Sequence, residues 1–459
     1  MQLSSLRVGK TIENHSLFFA VFCFATVSLL AQPEAQIESE IEAKTQDLPY
    51  SEAELNQAIS LRDQALQGNI GYDVIRSLTT EVGPRLAGSE NEARARDWAV
   101  AKLQSLGFEN VRVEKFTIPG WLRGDEYAEV TSPYPQPLRI TALGSSVATP
   151  PDGITAPVAY FETLADLKDA PMGSLEGKIA FVSHAMQKTQ DGSSYGFTVP
   201  LRRDGAREAA ARGAVAIVIR SIGTDSHRMP HTGQMSYGNA LQKIPAAALS
   251  VPDAEQLVRM IDGGTEVEMK LVLTPKSVGP LTSGNVIVDI RGRERPEELV
   301  IIGGHLDAWD LGTGAVDDGA GVGITMAAAK LIKDLPVAPK RTVRLILWGS
   351  EEVGLLGARA YADRYQKDIE NHIIGAESDF GAGKIWKMTS RVGDEDLPTI
   401  KAIARVLAPL GVAEGDNAAR GGPDLIPLRF LGMPVVSLNQ DGRDYFDLHH
   451  TPDDTFDKI

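Results

Sequence analysis

Apolar and polar positions along this chain follow two rhythms in turn. From Ser51 the spacing is helical, and Ser89 with Glu92 three positions later opens a further helix as a capping box. Ala95, Trp98, Ala99, Leu103 and Leu106 recur at helical intervals until Gly107 closes the run. VRVEKFTI, from Val111, alternates with period two and predicts a strand. Between about residue 126 and 280 proline and glycine become frequent. Short strand-like runs dominate there (APVAYF, GKIAFVSH, AVAIVIRS), with a single clear helix around DGAREAAARG. This texture predicts a β-rich module, 126–280, inserted into a larger domain made of 51–125 and 281–459. From Asn285 long apolar runs suited to buried strands return: NVIVDIRG, ELVIIGG, TVRLILWG and MPVVSLN. Helical stretches separate them: DGAGVGITMAAAKLIKD, GARAYADRYQ and TIKAIARVLAPLG. The alternation predicts an α/β fold, a three-layer sandwich with helices on both faces of a mixed sheet. The last residues, TFDKI, carry no terminating helix, as expected of a fragment.

Composition narrows the function classes. With 459 residues, 43% hydrophobic and 23% charged, the chain can bury a sizeable core without staples. A formal net charge of -15 argues against nucleic acid or an anionic membrane surface as partner. Arg7 and Lys10 precede an apolar run from Leu17 to Ala31, shorter than the ~20 residues of a membrane-spanning helix. Small residues and a Gln-Pro end it, so 1–31 reads as a cleaved signal peptide and 32–50 as a mobile lead-in. The mature protein is then secreted or periplasmic with no stable membrane span; a retained anchor is the competing reading. The one cysteine, Cys23, lies inside the signal segment. Disulfides, cysteine–zinc sites and thiol nucleophiles are thereby excluded from the mature chain, and any metal must be held by His, Asp and Glu.

The stretch HLDAWDLGTGAVDDGAGVG, residues 305–323, concentrates the chemistry. Gly312 and Gly314 satisfy the first half of a G-x-G-x-x-G phosphate loop, but Asp317 and Asp318 follow where a pyrophosphate would be repelled. A metal fits better. His305 follows ELVIIGG at the carboxyl end of a strand, where α/β sheets place ligands. Asp307 can accept the second ring N–H of His305, and Asp317 opens the next helix after a glycine-rich loop. Glu351 and Glu352 come directly after TVRLILWGS, Glu377 and Asp379 after NHIIGA, and His449 and His450 stand in YFDLHHTPDD. A lone histidine is more often structural and adjacent glutamates can both face solvent, yet three of the eight histidines fall into this pattern. The donor set suits a catalytic zinc site with open positions, and one carboxylate could bridge two ions. His227 and His231 also stand at i, i+4, but Pro230 and the lack of helical pattern favour a loop closing over the cleft. The residues by themselves do not separate His449 from His450.

GGHLDAWDLGTGAVDDGAG, LILWGSEEVGLLGA, ESDFGAG and YFDLHHTPDDT, in this order, resemble the metal motifs of the co-catalytic dinuclear zinc exopeptidases of the aminopeptidase and glutamate carboxypeptidase type. The likeness extends from GPRLAGS through TVPLRRDGAREAAARGAVAIVIRS, PHTGQMSYG and KIPAAALSVPDAE to the terminal histidines. It implies two Zn2+ per chain: Asp317 bridging, His305 and Asp379 completing one shell, Glu352 and His450 the other. Glu351 is then the general base, and Asp307 orients His305. His450 is favoured over His449 because the family histidine lies four residues before an Asp-Thr, here Asp454-Thr455. His449 is left as a donor to a developing oxyanion, and Asp318 and Asp424 as supporting residues. The resemblance further implies a protease-associated-like fold for the insert, a homodimer, and hydrolysis of dipeptides or short unblocked peptides. Aminopeptidase action on longer peptides, single-zinc glutaminyl cyclisation and a non-catalytic scaffold are the alternatives. A scaffold should have lost metal ligands, and none is missing.

Overall fold

The computed structural model describes residues 50–459. The signal segment with Arg7, Lys10 and Cys23, and all but the last residue of the 32–50 lead-in, lie outside the described residues. Three helices, α1 (Glu52–Ala65), α2 (Ile70–Glu81) and α3 (Glu90–Ser105), precede strand β1 (Arg112–Leu122). Half of the capping box forms at α3. Ser89 Oγ accepts the Glu92 amide at 3.1 Å, but the Glu92 carboxylate turns inward to Arg96 and accepts the Ser283 hydroxyl.

Past Leu122 the chain leaves for a second sheet. Its strands are β2 (Glu126–Ser132), β3 (Gln136–Leu138), β4 (Ile140–Ala142), β5 (Ile154–Phe161), β6 (Ile179–Val182), β7 (Ala216–Arg220), β8 (Ala246–Leu249) and β9 (Glu268–Leu273). They are ordered β3-β2-β9-β5-β6-β7-β8-β4, with β5 to β8 parallel. The expected single helix is corrected here to three: α4 (Leu164–Asp169), α5 (Ser193–Ala211) and α6 (Val251–Asp262). The physical reason is plain for α6. Ser250 caps it by accepting the Asp253 amide, and Pro252 sits in the first turn, where its missing N–H costs nothing. A proline that looked like loop texture is a helix start. Helix α4 spans 6 residues, too few to show a helical period, and α5 begins well before the predicted run and carries Pro200 inside it.

The chain returns through β10 (Lys276–Ile290), which runs through residue 280, and continues with β11 (Arg295–His305), helix α7 (Ala320–Lys333) and β12 (Arg341–Trp348). Then come α8 (Leu356–Tyr365), β13 (His372–Glu377), β14 (Ile385–Arg391), α9 (Leu397–Leu407), β15 (Ala413–Glu414), α10 (Ile426–Phe430), β16 (Val435–Gln440) and α11 (Tyr445–Leu448). With β1 they form an eight-stranded sheet ordered β1-β10-β12-β11-β13-β16-β14-β15. Strands β12, β11, β13 and β16 run parallel, β10 opposes both of its neighbours, and β14 opposes β16 while running parallel with β15. Alternation along β12 decides the layers. Leu345 and Leu347 pack with Val74 and Leu78 of α2, Trp98 of α3 and Met326 of α7. Ile346 and Trp348 point the other way, to Tyr361 of α8 and Leu428 of α10. Helices therefore cover both faces, as the buried apolar runs require.

Ala53–Ile459 form one compact unit, and the two sheets share a core. Leu201 and Ala206 of α5 and Ile217 and Ile219 of β7 cluster with Val316, Tyr445 and Phe446 from the first sheet's side. Arg123, between β1 and β2, fastens the junction: it pairs with Asp310 and Glu126 and donates to the Thr232 hydroxyl. No helix among the described residues is long and apolar enough to cross a membrane.

Candidate metal centre

Three neighbouring strands end at one edge. His305 closes β11 beside Trp348 of β12, and Gly303 pairs with Glu377 of β13. Parallel pairing therefore brings the loops after all three strands to one place, which is why residues far apart in sequence meet. The loop from His305 to Asp317 is shaped from outside. Arg85, fully buried, donates to the carbonyls of Leu306, Thr313 and Gly314. Asp454 accepts the amides of Val316 (2.6 Å) and Asp317 (3.1 Å). Gly314 adopts φ +59, and a Cβ on Gly312 would stand 2.7 Å from the carbonyl oxygens of Thr451 and Asp454. At those two positions glycine is what lets the loop close.

The resulting geometry sorts the histidines. His305 Nδ1 lies 2.9 Å from the backbone carbonyl of Asp307, which can only accept, so this nitrogen carries the proton. Its Nε2, the nitrogen left to ligate an ion, faces Asp317 Oδ1 at 3.1 Å and Asp379 Oδ1 at 3.6 Å. On the other side of Asp317, Oδ2 lies 3.3 Å from His450 Nε2, which is also 3.0 Å from Glu352 Oε2. One carboxylate thus turns each oxygen toward a different imidazole, and each imidazole has a second carboxylate beside it. Three sets of potential ligand atoms come within reach of a common ion: His305, Asp317 and Glu352; His305, Asp318 and Asp379; Asp317, His449 and His450. Glu352 Oε1 is buried without a hydrogen-bond partner among the described residues. Imidazole nitrogens crowded by carboxylates, an orphaned carboxylate oxygen and a donor set without thiolate fit divalent zinc.

Comparison with known proteins agrees. Residues 285–459 match the model of peptidase family M28. Carboxypeptidase Q of Bos taurus is 37% identical over 387 residues, covering 84% of this chain and 80% of the relative.

The chain belongs to peptidase family M28.

It is a metallopeptidase, as its named relatives are. The crystal structure of a peptidase M28 precursor from Shewanella amazonensis SB2B is 52% identical, with TM-score 0.87 over 88% of this chain and 92% of that one. A zinc aminopeptidase from Bacillus subtilis shares the fold at 22% identity and TM-score 0.63, covering 85% of this chain and 89% of that one.

The remaining candidate residues divide by what their side chains touch. Asp307 keeps its carboxylate 3.8 Å from His305 Nδ1 and accepts the amides of Glu351 (3.0 Å) and Glu352 (3.3 Å) instead. The ring contact expected of its carboxylate is made by its own carbonyl. Asp318 accepts the amides of His305 (3.0 Å) and Gly321 (2.9 Å), so it ties the strand end to the start of α7. His449 stacks on His450, with centroids 3.5 Å apart, and its Nε2 lies 3.7 Å from Asp317. Asp424 is fully buried, and neither of its carboxylate oxygens has a partner among the described residues. Its amide donates to Glu377, which stands apart from the three ligand sets. Asp310 is turned away to Arg123. His227 faces Asp453 at 3.6 Å whereas buried His231 faces Asp225 at 2.5 Å, so these two do not form a pair. In the sequence Arg85 carried no signal beyond GPRLAGS, Asp454 served only to single out His450, and His231 stood only in the i, i+4 pair with His227.

Electrostatics point the same way. Burial pushes the carboxyls of Glu351, Asp318, Glu377 and Asp424 well above their ordinary range, and neighbouring carboxylates push further. Against its own burial, hydrogen bonds from His305 and His450 hold Asp317 well below that range. Burial, helped by His450, pulls His449 well below the ordinary histidine value. An excess of buried negative charge on this scale calls for cations. A cavity of about 150 Å³ opens beside Asp379, lined by Asp191, Glu377, Phe380, Ser437 and Asn439 among others.

Proposed function

We propose that this M28 chain is a dinuclear zinc exopeptidase that hydrolyses dipeptides or short unblocked peptides. The observation that carries the reading is Asp317, whose two oxygens face His305 on one side and His450 on the other. His305 and Asp379 would hold one zinc, Glu352 and His450 the second, and Asp317 both. When bound, zinc supplies Lewis acidity that polarises a carbonyl and makes water acidic enough to attack near neutral pH. Glu351, adjacent to ligand Glu352, takes the proton of the attacking water and returns it to the leaving amine. The surrounding burial favours a glutamate able to hold that proton. Asp307 fixes the start of the Glu351–Glu352 turn through its two accepted amides and His305 through its carbonyl. His449, with Nδ1 buried and unpartnered among the described residues, stands ready to donate to a developing oxyanion. Asp318 and Asp424 support the site without touching substrate.

The same reading takes the β2–β9 sheet as an inserted protease-associated-like domain that walls the cleft, residues 1–31 as a signal for secretion or the periplasm, and a homodimer as the assembly. Glu351→Gln should lower kcat by ~10²–10⁴-fold while zinc content stays at two per chain. Full activity in that variant would remove Glu351 as the base. One dipeptide, its N-blocked form and its C-amidated form, assayed together, give the terminus that is read. Loss on N-blocking alone makes it an aminopeptidase, loss on C-amidation a carboxypeptidase, and loss on both a dipeptidase.

A further inference from the structure

The segment that carries His449 and His450 is held by the other sheet. From the loop between β7 and β8, Thr224 donates its amide to the Phe446 carbonyl (3.1 Å) and its hydroxyl to Asp447 (2.6 Å). Thr232 donates its amide to the His450 carbonyl (3.0 Å), and its own carbonyl lies 3.2 Å from His450 Nδ1. Arg202 of α5 lies against the same nitrogen at 3.3 Å. Between these contacts sits His231, 2% exposed, whose Nδ1 donates to the His449 carbonyl at 2.8 Å. Its Nε2 faces Asp225 at 2.5 Å, and its amide donates to Ser221 Oγ. Asp225 is in turn fixed by the His227 amide at 2.7 Å.

This clamp has a specific object. His450 adopts φ +64, a left-handed conformation uncommon for a residue with a Cβ. Such a conformation persists only where the surroundings over-determine it. The His449 carbonyl belongs to the peptide unit that enters His450, so a donor locked on that oxygen sets the rotation in question. A buried Asp–His pair is weak evidence for stability, because desolvation consumes most of its attraction. Its use is better sought in what it orients.

We infer that the Asp225–His231 pair, supplied by the second sheet, is a positioning device for His450: it holds the His449–His450 peptide so that the His450 imidazole reaches Glu352 and Asp317. This rests on the dinuclear reading above, in which His450 is a ligand. The second sheet then takes part in metal binding through its backbone grip and does more than wall the cleft.

Two near-isosteric substitutions separate orientation from bulk. His231→Asn places an amide donor where Nδ1 stood, toward the His449 carbonyl; His231→Gln places it where Nε2 stood, toward Asp225. Zinc retained per chain is measured in the full-length enzyme against graded chelator, together with melting temperature with and without zinc. The wild type should hold two zincs. His231→Gln should release one of them at ~10–100-fold lower chelator strength, with the other unmoved, and His231→Asn should keep both. The melting-temperature gap between zinc-loaded and zinc-free protein should narrow for Gln and not for Asn. Equal zinc retention in the two variants, or equal falls of loaded and free melting temperatures with the gap unchanged, overturns the inference. A wild type saturating at one zinc overturns the dinuclear reading first, a distinct result. Where the His231 variants fail to fold, Asp225→Asn takes their place, with the same direction and a smaller loss expected.

Discussion

On one side of Asp317 stands His305, the last residue of a central strand, with Asp318 on its amide and the Asp307 carbonyl on its ring. On the other stands His450, in a loop, at a positive φ, and gripped by residues from a different sheet. The first imidazole inherits its position from strand pairing, the most rigid framework the fold offers. The second borrows its position from contacts across a junction. Two halves of one site can thus be preorganised by unlike means, and they should fail differently when perturbed.

The bluntest way to break the comparison is to remove what the halves share. Asp317→Asn should lower peptide hydrolysis by more than the ~10²–10⁴-fold expected for the base variant, with weaker retention of both zincs in metal analysis. Next, Asp379→Asn and Glu352→Gln should each loosen one zinc by more than the ~10–100-fold typical of outer partners. Chelator titration should find the affected ion different in the two variants; the same ion lost in both would erase the asymmetry. Asp307→Asn comes third, at ~10–100-fold in metal affinity. An asparagine keeps one oxygen for one glutamate amide but turns an N–H toward the other, and unchanged affinity would show that the amide pair needs no such partner. The smallest effect lies away from both halves. Burial lowers the pKa of His372, which is bonded to the Tyr361 hydroxyl and the Asp368 carbonyl. Below its ordinary value near 6.5 this side chain binds more proton in the unfolded chain than in the folded one, so the stability it contributes should fall as pH drops from there. That contribution has a slope of at most about 1.4 kcal/mol per pH unit and should be missing from His372→Gln, so it is read as the difference between wild type and variant in denaturant unfolding at several pH values.

How much of this was legible follows from what each residue depends on. His305, Glu351, Glu352 and Asp379 were exposed as candidates because each follows an apolar run that could only be a buried strand. Their convergence needed one further rule, that parallel strands bring their carboxyl ends together. The three-layer arrangement was visible for the same reason. Helix α6 was not, because Pro252 carries opposite meanings in a loop and in a first helical turn. The carboxylate of Asp307 was placed near His305 by spacing, but the free amides after β12 compete for it, and that competition exists only in three dimensions. Arg85 and His231 act through distant backbone carbonyls, a kind of contact with no periodicity and no motif. The residues by themselves left His449 and His450 equal and only the resemblance favoured His450; in the structure His450, at φ +64, reaches both Asp317 and Glu352.

Strands β1 and β10 pair side by side, with Leu122 opposite Lys276. The roughly 150 residues between them must come round before that pairing can form, which as a flexible loop would add about 3 kcal/mol of closure entropy over a four-residue hairpin turn. A second sheet that folds first removes most of this cost by delivering its two ends already adjacent. The order of assembly is thereby suggested: β2–β9 first, and the edge of the metal-bearing sheet afterwards. In pulse-labelled hydrogen exchange, protection at Ile179–Val182 should precede protection at Val113–Ile118, and the reverse order would mean that the larger sheet closes unaided.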